Sequence, residues 1–342
     1  MPTLKDVASE AKVSLATASL AMRGKPGVTS ATAQKVRSAA KRIGYQLNAS
    51  ARSLRSGRSG ILVLIVPRLS IPFYNHVAEA VAYEMEKAGM QAMIQQSDLF
   101  AEHERETVGR IASTIADGII YNSTRLDDES ITALTDQRPV VMIENFAEPR
   151  TLDTVNTPSQ EGMNAAVNHL VDVGCSRIGV LGRSPEDTGR ASQLSSISKR
   201  TRYDAALAAI AHAGQDLEMA AWPDPVSWSI EDGRKAALEL ARQGLPYDGL
   251  VCMNDMMALG VLRGFHEAGV KVPRDVAVIG FDGIQEGAYN TPTLSTIAVD
   301  YRGLAQASVS LMMRRLDQPD DKFMPQSIRV GYELIKREST AR

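Results

Sequence analysis

Eleven lysine and arginine side chains crowd residues 1–59 (Lys5, Lys12, Arg23, Lys25, Lys35, Arg37, Lys41, Arg42, Arg52, Arg55 and Arg58), against only two acids, Asp6 and Glu10. That segment carries +9 and the rest of the chain −11, two opposite charges hidden inside a whole-chain value of −2. A cationic head on an acidic body is built to approach a polyanion such as nucleic acid, which attracts the head and repels the body.

Three short helices are expected to carry that head. LKDVASEA sets Leu4, Val7, Ala8 and Ala11 on one helical face. Lys12-Val13 makes a brief turn, and Ser14 stands where it can cap a second helix from Leu15 to Met22. After the break Arg23-Gly24-Lys25-Pro26-Gly27, Thr29 caps a third helix with the apolar stripe Ala33, Val36, Ala40 and Ile43. Two helices across a tight turn, braced by a third, make a helix-turn-helix. Residues 46–59 (QLNASARSLRSGRS) have Leu47 and Leu54 as their only large apolar side chains. They read as a helix-capable linker too poor in apolar surface to fold alone. From residue 60 strand-like runs alternate with amphipathic stretches: ILVLIVP, QAMIQQS, DGIIYNS, PVVMIEN, RIGVLG, DGLVCMN and DVAVIGFDG, separated by segments such as 76–88, 161–173 and 230–242. This alternation predicts α/β architecture with parallel sheets covered on both faces. DGIIYNS resembles DGLVCMN, so the fold is expected to be built twice, with a cleft between two doubly wound halves. The domain organisation read from the chain is 1–45 as an all-α headpiece, 46–59 as a hinge, and 60–342 as a two-lobed ligand-binding and dimerisation domain.

The order of features over residues 3–57 (helix, VS turn, second helix, capped third helix, GY, then N-x-x-A-x-x-L) resembles the headpiece of the LacI/GalR repressor family. The resemblance implies that Leu15, Ala16 and Leu20 lie at base-reading positions, and that Ser14, Thr17, Ser19 and Thr29 contact phosphates. Hydroxyls and helix N-termini suit the phosphate task, which fixes register without reading sequence. It also implies that Asn48, Ala51 and Leu54 belong to a hinge helix whose paired leucines wedge into the minor groove, with Arg55 and its basic neighbours on phosphates. The second helix, LATASLAM, departs from the family in carrying no amide or guanidinium. Its readout is left to apolar contacts and hydroxyls, with Arg23 and Lys25 beyond the helix as donors.

The resemblance continues, weaker residue by residue but in the same order, over nearly the whole chain. It implies a ligand domain like the type I periplasmic binding proteins: two lobes, three crossovers and ligand between them. Near the matching positions stand Arg202 in SISKRTRYDAALAAIAHAG, Trp228 in VSWSIEDG, Asn254 and Asp255 in CMNDMMALG, and Asp282 in VIGFDG. An Arg fork and a carboxylate can each hold two neighbouring hydroxyls, and Trp offers a flat apolar face. Asp282 ends a strand and should reach the cleft. Arg202 as a surface charge and Trp228 as core are the plainer alternatives, and Asp255 reads as the cap of a helix starting at Met256. Phe73 and Tyr74 follow the first strand and are expected to line the other lobe. Family members often carry a carboxylate where Asn156 stands. No basic cluster or Gly-rich cradle at the strand ends invites an anion, so the expected effector is a neutral polyhydroxylated molecule such as a sugar, with a phosphorylated sugar or a nucleobase as the alternative.

No G-x-G-x-x-G follows the first strand, which runs into VPRLSIPF, and there is no Walker or G-x-S-x-G motif. His76, His103, His169, His212 and His266 lack metal-ligand spacing and read mostly as helix-surface residues. Neither an enzyme nor a cofactor or metal site is expected. Two cysteines, Cys175 and Cys252, fit a reducing compartment. The start MPTLKDVASEA lacks an export signal's apolar core, so a cytoplasmic protein is expected and a periplasmic binding protein disfavoured. The expected partners are a pseudo-palindromic DNA duplex, a small effector and a second copy of the chain. The resemblance implies a homodimer formed through the ligand domain, and the terminal IKRESTAR, without leucine heptads, speaks against a coiled-coil tetramer.

Overall fold

A computed structural model describes residues 2–22, 26–45, 58–98, 100–112, 116–122, 126–136, 138–146, 151–183, 197–215, 226–318 and 324–342. The chain divides into two compact units, Met1–Ser59 and Gly60–Arg342.

The first unit holds α1 (Leu4–Glu10), α2 (Leu15–Met22) and α3 (Ser30–Arg42). Each N-terminus is closed by a hydroxyl. Thr3 accepts from the Asp6 N–H while the Asp6 carboxylate accepts from the Thr3 N–H at 2.7 Å, a capping box. Ser14 Oγ accepts from the Thr17 N–H at 3.0 Å, and Thr29 Oγ1 from the Thr32 N–H at 3.3 Å. Lys12, in the left-handed region at φ 49°, makes the turn between α1 and α2. The core is Val7, Ala8, Ala11, Ala18, Ala21, Val36, Ala39 and Ala40, with Leu4, Ala33 and Ile43 packed against it. Six alanines among eight core positions let three short helices approach closely.

The second unit opens with β1 (Ile61–Val66), α4 (Pro72–Lys87), β2 (Gln91–Gln96), α5 (Ala101–Ala112), β3 (Gly118–Tyr121), α6 (Asp128–Leu134), β4 (Val140–Ile143) and β5 (Asp153–Asn156). It continues with α7 (Ser159–Asp172), β6 (Ile178–Leu181), α8 (Ile197–His212), α9 (Ile230–Arg242), β7 (Gly249–Cys252), α10 (Asp255–Ala268), β8 (Ala277–Asp282) and β9 (Ser295–Val299). α11 (Tyr301–Asp317), β10 (Ser327–Arg329) and β11 (Tyr332–Ile335) complete it. One sheet runs β10-β5-β4-β3-β1-β2, parallel throughout; the other runs β11-β9-β8-β7-β6, parallel except for β11 against β9. The central strands are apolar on both faces because helices cover both, and β1, β3, β4, β7 and β8 are almost wholly buried. β3 lies beside β1 as β7 lies beside β6, so the repeated DGII and DGLV segments occupy matching places in two lobes.

The chain crosses between lobes three times: from β5 into α7, from β9 into α11, which packs back on α4 and on β3, β4 and β5, and from β10 to β11. The lobes are therefore joined by three short straps. The seven strands read from the sequence are all present, and Ile230–Arg242 is α9 as expected. α4 starts earlier than residue 76, at Pro72, whose fixed φ and missing N–H suit a first helical turn.

Candidate functional site

In the first unit, α2 turns Ala18 and Ala21 into the core and leaves Ser14, Leu15 and Ala16 exposed, with Thr17, Ser19 and Leu20 half-buried. Ser14 and Thr17 share a hydroxyl–hydroxyl bond of 2.8 Å, as do Thr29 and Thr32 at 2.9 Å. The exposed hydroxyls thus sit at two helix N-termini, where backbone N–H groups favour an anion. Arg23, Asn48, Ala51, Leu54 and Arg55 lie outside the described residues.

In the second unit, the ends of the parallel strands bring four elements together around one guanidinium. Arg202, on α8 and 4% exposed, donates from Nη1 to the Met253 carbonyl at 3.0 Å and to Asp282 Oδ1 at 3.0 Å. Its Nη2 reaches Thr157 Oγ1 at 3.5 Å and faces Glu144 Oε2 at 3.7 Å, both from the other lobe. Its Cζ lies 4.0 Å from the Phe281 ring centroid and 5.3 Å from that of Trp228, while Nε is buried without a partner. Arg202 is therefore a lobe-bridging group with one unused donor, not a surface charge.

Its two carboxylate partners stand on unusual backbone. Asp282 ends β8 at φ 112° and Glu144 follows β4 at φ 60°, both in the region that favours glycine. Such conformations persist where surrounding contacts hold them, and they cluster at functional sites. Glu144 is fixed by the Thr157 N–H, which donates to its Oε1 at 2.6 Å. Asp255 fixes Asp282. It is fully buried, and it accepts from the N–H groups of Gly283 (2.8 Å) and Ile284 (2.9 Å) and from Thr296 Oγ1 (2.7 Å). Asp255 is thus not the helix cap expected from the sequence. Asn254 takes that role, its Oδ1 accepting from the Met257 N–H at 2.9 Å and its Nδ2 donating to the Trp228 carbonyl at 3.2 Å.

Trp228 Nε1 donates to the Gly182 carbonyl at 2.7 Å, so the indole is anchored, and Lys199 and Arg202 lie over its ring. Phe73 is buried in the core of the first lobe and meets the rings of Tyr74 and Tyr301 at 5.3 and 5.8 Å. Tyr74 and Tyr301 both have phenol pKa values raised by burial, then by the neighbouring carboxylates: Glu144 foremost for Tyr74, Asp282 for Tyr301. The buried Tyr301 hydroxyl has no partner. The structure therefore brings Tyr74, Arg202, Trp228 and Asp282 together, assigns Asn254 and Phe73 to supporting them, and adds Glu144, Thr157 and Tyr301. Glu144 was legible as a carboxylate at the end of the PVVMIEN strand; Tyr301 follows a strand that the sequence did not disclose. Asn156, where a carboxylate is common in the family, hydrogen-bonds Thr154 and the Asn145 carbonyl.

Burial pushes the Asp282 carboxyl up to about 7, against the pull of Arg202. In the folded protein this group keeps its proton at pH values where the unfolded chain, near 4, has lost it. Its contribution to stability therefore falls as pH rises from about 4 to about 7. Asp282→Asn cannot ionise, so in urea titrations its stability is expected to gain on the wild type as pH climbs through that window. Parallel curves would count against this account.

Among the described residues no group of three or more His, Cys, Asp and Glu could hold a metal ion, and no helix is long and apolar enough to cross a membrane. Both cysteines are buried and free, their thiol pKa values raised by burial. His169 departs from the surface reading: it is buried and its Nε2 lies 2.8 Å from Thr340 Oγ1.

A helix-turn-helix unit followed by two α/β lobes that meet around a buried polar site defines a DNA-binding regulator with a small-molecule sensor. The model of the bacterial regulatory proteins of the lacI family matches residues 3–48, and that of the periplasmic binding protein-like domain matches residues 167–340. The HTH-type transcriptional repressor CytR of Escherichia coli (strain K12) is 30% identical over 99% of this chain and 96% of its own length. An uncharacterized HTH-type transcriptional regulator in the aml 5' region of Streptomyces limosus is 30% identical over 100% of this chain and 95% of that protein. The ribose operon repressor of Halalkalibacterium halodurans is 26% identical over 99% and 97%. Among solved structures, the lac repressor dimer bound to operator and the anti-inducer ONPF superposes with a TM-score of 0.82 at 24% identity, covering 99% of each chain. The chain belongs to the lacI family of bacterial regulatory proteins, and it is a ligand-responsive, DNA-binding transcription regulator.

Proposed function

We propose that this regulator is a cytoplasmic homodimeric repressor without enzymatic activity, and that a small polyhydroxylated effector, of the sugar class, controls its grip on a pseudo-palindromic operator. Ser14, Thr17, Ser19 and Thr29 engage phosphates; Leu15, Ala16 and Leu20 meet base edges; and Arg23, Asn48, Ala51, Leu54 and Arg55 extend the contact along the duplex. Tyr74, Arg202, Trp228 and Asp282, with Glu144 and Tyr301, hold the effector.

The observation that carries the effector class is the Arg202 centre. Two carboxylates, a buried guanidinium donor and an unpartnered Tyr301 hydroxyl converge where aromatic rings lie close by. Vicinal hydroxyls satisfy such mixed donors and acceptors, and the ring carbons cover the aromatic faces. Because Arg202 spans both lobes, an effector that inserts beside it changes the inter-lobe contacts. Effector and operator affinities are then linked reciprocally, typically by roughly 1–3 kcal/mol.

The test begins by enriching a preferred duplex from a random pool at fixed salt. Pentoses, hexoses and nucleosides are then screened by thermal shift, and every hit is titrated against the protein–duplex complex. The expected result is a sugar that raises Tm and changes duplex affinity by roughly 5–150-fold. A protein that enriches no duplex, with or without these compounds, would end the proposal.

A further inference from the structure

The second helix of the headpiece carries three large apolar side chains, and they face different surroundings. Met22 packs against the headpiece core. Leu20 is half-buried, its Cδ1 lying 3.7 Å from where a Cβ on Gly27 would stand. Leu15 alone projects freely: at 53% exposure it is, among the described residues of the first unit, the one large apolar side chain in the exposed class. Ala16 beside it is exposed too. The neighbouring Ser14 and Thr17 hydroxyls are bonded to one another, and Ser14 Oγ is also engaged by the Thr17 N–H.

In a helix-turn-helix the N-terminal residues of this helix face base edges in the major groove. There guanine offers two acceptors, adenine an acceptor and a donor, cytosine a donor, and only thymine an apolar group, its 5-methyl. Arg, Lys, Asn or Gln would be needed for paired hydrogen bonds to a purine, and LATASLAM holds none of them. A leucine in that place desolvates any polar base edge it covers and rewards only the methyl.

Resting on the reading of this unit as an operator-binding headpiece, we infer that Leu15, with the Ala16 methyl beside it, selects A·T pairs in each half-site by packing on the thymine 5-methyl group. The ligand chemistry recognised is thus a methyl in the groove rather than a hydrogen-bonding pattern. Each buried methyl is worth about fourfold in affinity, and two half-sites together about fifteenfold.

The test uses the full-length protein and the duplex enriched from a random pool. Thymines are replaced by uracil symmetrically, one position at a time, which removes the methyl and keeps every hydrogen-bonding group. Dissociation constants are measured by fluorescence anisotropy at one salt concentration. The expected result is one symmetric pair of positions where uracil weakens wild-type binding about fifteenfold, and Leu15→Ala protein that binds the thymine and uracil duplexes alike. Because the side chain is exposed, Leu15→Ala should leave the headpiece folded, which circular dichroism checks. If uracil is tolerated at every position, or if Leu15→Ala retains the wild-type discrimination, the inference falls while operator binding stands. If no duplex is enriched at all, both fall together.

Discussion

Arg202→Met protein is expected to lose about 3–5 kcal/mol of ligand-domain stability at neutral pH, together with its response to effector. The substitution keeps an unbranched apolar side chain against the Phe281 and Trp228 rings but leaves Glu144 and Asp282 buried without their cation. Removing one member of a buried ion pair strands the others in a medium that solvates them poorly. The loss should grow as pH rises above about 7, where Asp282 ionises beside Arg202 in the wild type. Without the cation that pulls its pKa down to about 7, Asp282 must hold its proton or stand as a stranded charge. Combining Arg202→Met with Glu144→Gln and Asp282→Asn should restore much of the stability without restoring the effector response. That outcome would separate the cost of stranded charge from the chemistry of binding. Urea titration and calorimetric binding of the effector make both measurements. A wild-type urea midpoint in the single variant would show that the three groups are not coupled.

A comparable effect is expected from Asp255→Ala, although Asp255 is assigned no contact with ligand. Three buried donors converge on this carboxylate: the Gly283 and Ile284 N–H groups and the Thr296 hydroxyl. Each donor left unsatisfied costs about 1–3 kcal/mol. The same bonds hold the turn that keeps Asp282 at φ 112°, so releasing them lets Asp282 swing from Arg202. The carboxylate also lies so close to Gly280 that a β-carbon there would overlap it, which makes the fit steric as well as polar. Stability should fall by roughly 3 kcal/mol or more, and effector affinity with it. Asp255→Asn keeps the shape but sets its own N–H₂ among three donors, and an intermediate loss is expected. Effector binding at wild-type strength in the alanine variant would remove Asp255 from the positioning role.

The sequence disclosed β1, β3, β4, β6, β7 and β8 because parallel strands buried on both faces become continuous apolar runs. It did not disclose β5 (DTVN) or β9 (STIAV), which are buried but interleave polar residues with the apolar ones, nor β10 (SIR) and β11 (YELI), which are partly exposed and carry no period to read. The reading of Asp255 failed for a local reason. Asn254 and Asp255 are both good caps, and the choice is made by the backbone: Asn254 is extended at φ −152°, ψ 169°, and Asp255 is the first helical residue. Arg202 and Asp282 were singled out through the family resemblance and residue type. Their environment was not, because Glu144, Thr157 and Tyr301 reach them across the cleft from strands and crossovers far away in sequence. Trp228 shows the same limit: its indole is tethered and flanked by cations, which residue type alone could not reveal.

The three straps also set the order in which this molecule can be made. The first lobe begins at residue 61, yet α11 packs over β3, β4 and β5, and β10 pairs beside β5. A nascent chain emerging from the ribosome must therefore hold its first sheet half-covered until about 160 residues beyond β5 have been translated, from Asn156 to Asp317. Through that interval apolar strands stay open to misassociation, the situation in which chaperones act. A premature stop codon between residues 300 and 327 would leave the main strands of both lobes translated and neither lobe finished.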